Sequence, residues 1–331
     1  MSQLVPWFRD TQGYLFQTIP HPTYLPFPVL DLLGAIRLSV FVDQYVRGKA
    51  KIPDDKIDEG GRRPTFLQEA FGIAVLIFGG ESCLAAWLGI LPSWLQSPNG
   101  LILFCGMHYL ISRTPFNRLI PRKPLLSHEL PLSLFDSLGR ALVLTTFSFE
   151  LIRSHKDPLI STNPYLMVLS AWIMVVPSAS ASFAFGLFEK EWTLSTPGEL
   201  KPDGWKAVDF WAPVVIAWLY GALTQAHPVF LAPVTLFGAF IPGMGIMTES
   251  TSIKTGSVPG QRIAMFKPWD KLDARALCAV ILAVLFALRA IYNFGGIPQD
   301  TESKVVTGEK GECLISREPY HPVRSAKIQD E

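Results

Sequence analysis

Long apolar stretches recur along the chain and are separated by shorter polar segments. A helix needs about 20 predominantly apolar residues to cross the hydrocarbon core of a bilayer. Six stretches reach this length clearly. The first stretch contains charged residues, which would have to face protein. The third is short and spans only if it begins a few residues earlier. The pattern therefore predicts about eight transmembrane helices, at residues 27–46, 66–91, 98–111, 130–152, 164–188, 207–226, 229–248 and 274–292.

The composition of the 331-residue chain agrees with this pattern. Hydrophobic residues make up 49% and charged residues only 17%, against about 25% charged residues in soluble domains. The net charge of +1 gives no basic surface for nucleic acid. We expect an all-α integral membrane protein whose surroundings are the lipid bilayer. Residues 27–295 form the predicted bundle, 1–26 a lumenal N-terminal segment, and 296–331 a polar tail that is predicted to be disordered.

Lysine and arginine are concentrated in alternate loops, those that follow the first, third, fifth and seventh predicted spans. The loops between them are short and hold few basic residues. Because basic loops stay in the cytosol, eight spans would leave both termini in the lumen or outside the cell. An intracellular membrane such as the endoplasmic reticulum is the expected location.

Ionisable residues inside the predicted spans are the main functional candidates, since they are costly in lipid and usually functional. Glu81 lies in the middle of the second span with apolar residues on both sides. Asp136 and Arg140 are four residues apart on the fourth span and share a helix face. His108 lies in the third span, and Glu249 closes the seventh.

Each candidate has a structural alternative. Asp136 and Arg140 are compatible with an ion pair that only holds helices together, and His108 with a buried histidine whose hydrogen bonds are satisfied. Glu249 is compatible with a solvated position at the level of the lipid headgroups. Gly79 and Gly80, beside Glu81, permit either a kink or a close approach of another helix.

Several short strings of the chain match one known family, namely Phe27-Pro28-Val29-Leu30-Asp31, Phe78-Gly79-Gly80, residues 95–99, His108-Tyr109-Leu110, Pro115-Phe116 and residues 247–252. In these strings the chain resembles the trimeric intracellular cation channel family, and Arg140 falls where that family carries a lysine in its pore. This resemblance implies two inverted three-helix repeats and one further helix, to which an eighth helix is added here. It also implies a homotrimer that conducts monovalent cations across an intracellular membrane.

The chain departs from this family at three places. The family's basic pore residue is followed by an acid, whereas Arg140 is followed by Ala141. Glu81 follows the two glycines of the second helix, where the family has a small residue. The glycine hinge of the second repeat is represented only by Ser178-Ala179-Ser180-Ala181-Ser182. These departures argue against a hinge that opens a pore.

In size, eight-helix hydropathy and intramembrane acids the chain also resembles the fungal membrane-bound terpene cyclases of meroterpenoid pathways. This resemblance implies a hydrophobic prenylated substrate, protonation of a terminal epoxide or alkene, and ring closure through carbocations, without cofactor or metal. Burial would keep Glu81 protonated as the acid, and Asp136 or Glu249 would assist it or accept the final proton. Aromatic rings stabilise cations, and the substrate site would comprise Arg140 and His108 with Phe78, Trp87, Trp172, Trp211, Trp218 and Phe240.

The cyclase is the favoured hypothesis from sequence, because an acid lies beside the glycine pair and the second glycine hinge is missing. The alternative is a monovalent cation channel that uses Arg140, a kink at Gly79-Gly80 and the small residues of the fifth span.

Overall fold

The computed structural model describes residues 4–16, 27–50, 63–121, 124–197, 208–231 and 268–294. Every regular element in these ranges is a helix, so the expected all-α class is confirmed for the described part of the chain. The helices are α1 (Leu4–Leu15), α2 (Val29–Ala50), α3 (Phe66–Leu88), α4 (Ser93–Gln96), α5 (Asn99–Arg113), α6 (Leu126–Leu142), α7 (Glu150–Arg153), α8 (Pro158–Ser161), α9 (Pro164–Ala184), α10 (Val208–Leu223) and α11 (Lys271–Phe294).

Three of these helices, α3, α9 and α11, are long and apolar enough to cross a membrane, and α10 is a shorter apolar helix. The chain is therefore a membrane protein by the length and composition of its helices. The eight predicted spans are not all reproduced as single long apolar helices. The predicted seventh span lies outside the described residues, except for a 3-10 turn at Pro228–Leu231.

Local sequence signals explain where the long helices begin and end. Thr65 accepts a hydrogen bond from the backbone N–H of Gln68, and the Gln68 side chain accepts one from the backbone N–H of Thr65, which forms a capping box before α3. Gly89 ends α3 in the left-handed conformation, with φ of 65°. Such a cap is most easily formed by glycine.

A seven-residue π-helix, Val143–Phe149, joins α6 to α7, so that residues 126–153 form one continuous helix. The π-helical segment takes one more residue per hydrogen-bonded turn than an α-helix, a feature that is frequent at functional sites. The hydroxyl of Thr145 inside the segment donates to the carbonyl of Ala141 at 2.7 Å and accepts a hydrogen bond from Nε of Arg275 at 3.2 Å.

The most extensive helix contact is that of α6 with α11, and α9 also packs on the π-helical segment. Helix α3 packs on α9, and α2 packs on α6. Helix α5 packs on α2 and α3, while α10 packs on the π-helical segment and α9. Helices α3 and α9 are antiparallel, because Gln68 near the start of α3 bonds to Lys190 beyond the end of α9, while Gly80 lies against Met174 in the middle of α9.

Helix α11 runs opposite to the direction that eight alternating spans require. Its start lies beside the end of α10, where the backbone N–H of Trp269 donates to the carbonyl of Leu223 at 3.0 Å. Lys271 pairs with Glu150 at the end of the π-helical segment, with Nζ 2.6 Å from Oε2. A single crossing between α10 and α11 would place the start of α11 on the opposite side of the bundle.

The N-terminal helix α1 is an element that the sequence pattern does not predict. It packs against α11, with Arg9 paired to Asp273 at 3.0 Å. The buried side chain of Gln12 donates to the backbone carbonyl of Leu138 at 3.1 Å. Residues 4–15, which precede the first predicted span, therefore belong to the bundle.

Candidate functional site

Four charged residues from three helices meet inside the bundle and form the central ionic cluster, which comprises Asp136, Arg140, Asp209 and Arg289. Arg140 donates to Asp136 on its own helix at 3.1 Å and to Asp209 on α10 at 2.7 Å. Arg289 on α11 donates to the second oxygen of Asp209. Two carboxylates and two guanidinium groups thus balance in charge.

The side chains of the cluster are enclosed by protein for most of their surface, with exposed fractions between 19 and 29%. Phe286 lies beneath both guanidinium groups, with its ring centre 5.1 Å from Arg140 and 4.8 Å from Arg289. Charges held in such surroundings are stable only when they are paired, because removal of one partner leaves an uncompensated charge. The cluster therefore ties α6, α10 and α11 together at a polar point within an apolar bundle.

A second group of contacts holds the same three helices at the other end of the π-helical segment. Glu150 accepts hydrogen bonds from the Tyr220 hydroxyl at 3.2 Å and from Lys271 at 2.6 Å. Arg153 adds a contact to the same carboxylate at 3.2 Å. The π-helical segment is thus fixed on both sides by polar contacts to α10 and α11.

His108 lies in a separate buried group, the Glu69 network, which comprises Asp43, Arg63, Glu69, His108 and Arg113. Glu69 accepts hydrogen bonds from Arg63 at 2.7 and 3.1 Å and lies 2.8 Å from Nε2 of His108. Arg63 also donates to Asp43 at 2.8 Å, and Arg113 pairs with Glu69 at 3.1 Å. His108 is thus a buried histidine with a hydrogen-bond partner at Nε2, whereas its buried Nδ1 has no partner in the described part of the chain. The alternative of a satisfied histidine is met at one ring nitrogen only.

The Glu69 network joins the end of α2, the start of α3 and the end of α5. Burial alone would lower the pKa of Arg63, which lies just before α3, but its contacts with Glu69 and Asp43 raise this pKa above the usual value. The guanidinium group of Arg63 therefore stays charged. Its positive charge stabilises the buried carboxylates of Glu69 and Asp43.

Glu81 differs from the expectation of an enclosed, isolated acid. Its side chain is only half-buried and accepts hydrogen bonds from the backbone N–H and the hydroxyl of Ser93, the latter at 2.9 Å. The chain turns back after α3, and this return places the start of α4 against the carboxylate. The neighbouring Ser82 accepts a hydrogen bond from Trp94 at 2.9 Å. Glu81 thus holds a loop in this structure, whereas its assignment as a catalytic acid stays a prediction.

Gly79 and Gly80 provide a close helix contact within an unbroken α3. A Cβ atom on Gly80 would lie 2.1 Å from the carbonyl oxygen of Met174, and one on Gly79 would lie 3.0 Å from Cβ of Ser178. Of the two roles expected for the glycine pair, close approach is the one that the structure has. Gly80 approaches the backbone of Ile173 and Met174, and Gly79 approaches Ser178, one of the small residues of the fifth predicted span.

The predicted aromatic residues do not converge on one site. Trp172 and Trp218 line an open apolar groove of about 380 Å³ between α9 and α10, together with Phe210. Phe78 is buried against Trp94 and Phe104. The other two predicted aromatic residues that the structure describes, Trp87 and Trp211, are 48% and 37% exposed. Phe240 and Glu249 lie outside the described residues.

Asp136 and Arg140 are the predicted site residues that the structure brings together. Their partners Asp209 and Arg289 were not among the expected candidates, although each is a charged residue in a largely apolar helix, which is a signal for function. Among the described residues, no group of three or more histidine, cysteine or acidic side chains is arranged to hold a metal ion.

Comparisons of the chain with protein-family models, with curated proteins and with solved structures find no match. The helix arrangement and the central ionic cluster are therefore the features that bear on function.

Proposed function

We propose that the chain forms a pathway for monovalent cations across an intracellular membrane, in the manner of the trimeric intracellular cation channels that its sequence resembles. This was the alternative hypothesis from sequence. The homotrimeric state and the intracellular location are parts of the same proposal.

The observation that carries the proposal is the repetition of the helix pairs in two halves of the bundle. In the first half, α5 packs on α2 and α3, and in the second, α10 packs on the helix that contains the π-helical segment and on α9. Corresponding helices of the two halves also meet, α3 with α9 and α2 with α6. Two three-helix repeats of inverted topology, as found in many membrane transport proteins, would produce these pairs.

The direction of α11 supports the same arrangement. Because α11 begins where α10 ends, the two halves are followed by one antiparallel helix. This leaves seven alternating helices among those described, namely α2, α3, α5, α6–α7, α9, α10 and α11. Two three-helix repeats plus one helix is the arrangement that the channel resemblance implies.

The central ionic cluster gives the proposal its chemistry. Arg140 occupies the position that the resemblance assigns to a basic pore residue, and it contacts carboxylates on two helices. Rings or clusters of charged side chains control which ions pass through membrane proteins. A charge-neutral cluster within an apolar bundle is a suitable place for such control.

The cyclisation hypothesis has less support from this geometry. It requires an enclosed acid next to aromatic rings, whereas both oxygens of Glu81 contact Ser93. The groove beside Trp172 and Trp218 has no carboxylate among its lining residues. We therefore place the channel first.

Planar-bilayer recording of the purified full-length protein tests the proposal. With a KCl gradient across the bilayer, we expect currents that reverse near the potassium equilibrium potential. The Arg140→Gln variant should change the conductance, whereas Arg118→Gln, in the exposed segment after α5, is the matched control and should conduct like the wild type. Absence of wild-type current in correctly folded preparations would contradict the proposal.

A further inference from the structure

Asp209 is the only carboxylate in the central ionic cluster that contacts both arginine residues. One of its oxygens accepts from Arg140 at 2.7 Å and the other accepts from Arg289. The two guanidinium groups belong to different helices, and both lie over the ring of Phe286. Asp209 therefore keeps two like charges close together on α6 and α11.

The place of Asp209 in the fold strengthens this role. It lies in the first turn of α10, where the positive end of the helix dipole favours a carboxylate. The helix thus presents one negative charge between two positive ones. Asp136 supplies the second negative charge from the same helix as Arg140.

We propose that Asp209 and Arg289 set the ion selectivity of the pathway by fixing the net charge of the central ionic cluster at zero. This inference rests on the proposed function and deepens it, since it names the residues that decide between cations and anions. In surroundings of low dielectric constant, a change of one unit charge acts strongly on a passing ion.

The two single neutralisations should act in opposite directions. Asp209→Asn leaves two arginines with one aspartate, a net charge of +1, and should lower the permeability ratio of potassium to chloride by about five-fold. Arg289→Gln leaves two aspartates with one arginine, a net charge of −1, and should raise the ratio by a similar factor. The double variant is neutral again and should return the ratio to the wild-type value.

The experiment is reversal-potential recording in planar bilayers with a KCl gradient, on the wild type, both single variants and the double variant. Lys156→Gln, in the exposed loop after α7, is a charge control outside the cluster and should leave the ratio unchanged. Gel filtration in detergent confirms that each variant is folded. Recovery of the wild-type ratio in the double variant separates an electrostatic effect from structural damage, because damage from two substitutions would not cancel.

The failures of the two proposals are distinguishable. Wild-type conduction with equal ratios in all four proteins would overturn the role of Asp209 and Arg289 and leave the channel proposal standing. The same holds if both single variants shift the ratio in one direction. A wild type that carries no current would overturn the proposed function and this inference with it.

Discussion

The contact between α3 and α9 is expected to tolerate no side chain at Gly80. A Cβ atom there would lie 2.1 Å from the carbonyl oxygen of Met174 and 2.7 Å from that of Ile173, whereas real Cβ atoms essentially never come within 3.0 Å of such neighbours. Both neighbours are backbone atoms, so no side-chain rotation relieves the overlap. The helices would have to separate by about 0.9 Å to reach that limit.

Gly80→Ala should therefore destabilise the bundle although alanine favours helices. Replacement of a helical glycine by alanine alone stabilises by about 1 kcal/mol, but overpacking of this kind costs about 1–3 kcal/mol. Because the contact joins the two halves of the bundle, we expect a cost in the upper part of that range. After the gain in helix propensity is subtracted, the unfolding free energy should fall by about 1–2 kcal/mol.

The matched control is Gly106→Ala in α5, where a Cβ atom would meet nothing within 4 Å. Denaturant unfolding of both variants in the same detergent, followed by tryptophan fluorescence, gives the two changes in unfolding free energy. We expect Gly80→Ala to lower the unfolding free energy and Gly106→Ala to leave it unchanged or raise it. Equal stability of the two variants would refute the close contact between α3 and α9.

Two further predictions concern the start of α3. Glu69→Gln should lower the unfolding free energy by about 3–5 kcal/mol, because it removes the carboxylate that buried Arg63 and Arg113 share; the same denaturant titration measures this change, and a loss below 1 kcal/mol would mean that the network is hydrated. Thr65→Ala should cost about 1 kcal/mol through loss of the capping box, whereas Thr65→Ser should retain most of the stability; equal losses in the two variants would show that the hydroxyl does not cap α3.

Hydropathy and local signals predict much of the fold, since they depend on short stretches of sequence. The long apolar helices α3 and α9 lie close to their predicted spans. The glycine pair Gly79-Gly80 left a kink and a close approach both open, and the structure has the close approach, which small residues allow.

The direction of α11 could not be predicted in the same way. A count of apolar stretches predicts the side of the membrane on which each helix begins, but only if every stretch crosses the membrane. Residues 229–248 are apolar enough to be counted as a crossing, and this count reverses the predicted direction of α11. The contact between Trp269 and Leu223 depends on tertiary packing that no local pattern records. The orientation of the last helix is therefore a result of the structure.

The candidate site was predicted only in part, for a similar reason. The spacing of Asp136 and Arg140 reveals their pairing because it lies within one helix. Asp209 joins Arg140 from 69 residues away, and Arg289 joins Asp209 from a further 80 residues along the chain. Sequence alone does not indicate such partners. Glu81 was predicted to be enclosed because its neighbours in sequence are apolar, but Ser93 returns to it after the turn that follows α3.

The helix arrangement underlies the functional proposal, and the side on which α11 begins tests it most directly. Single cysteines at Arg118, Lys156 and Asp270, in a protein without its four native cysteines, can be labelled with an impermeant maleimide in sealed vesicles. We expect Lys156 and Asp270 to be labelled from the same side of the membrane and Arg118 from the opposite side. Labelling of Asp270 together with Arg118 would contradict the arrangement of two inverted repeats followed by one helix.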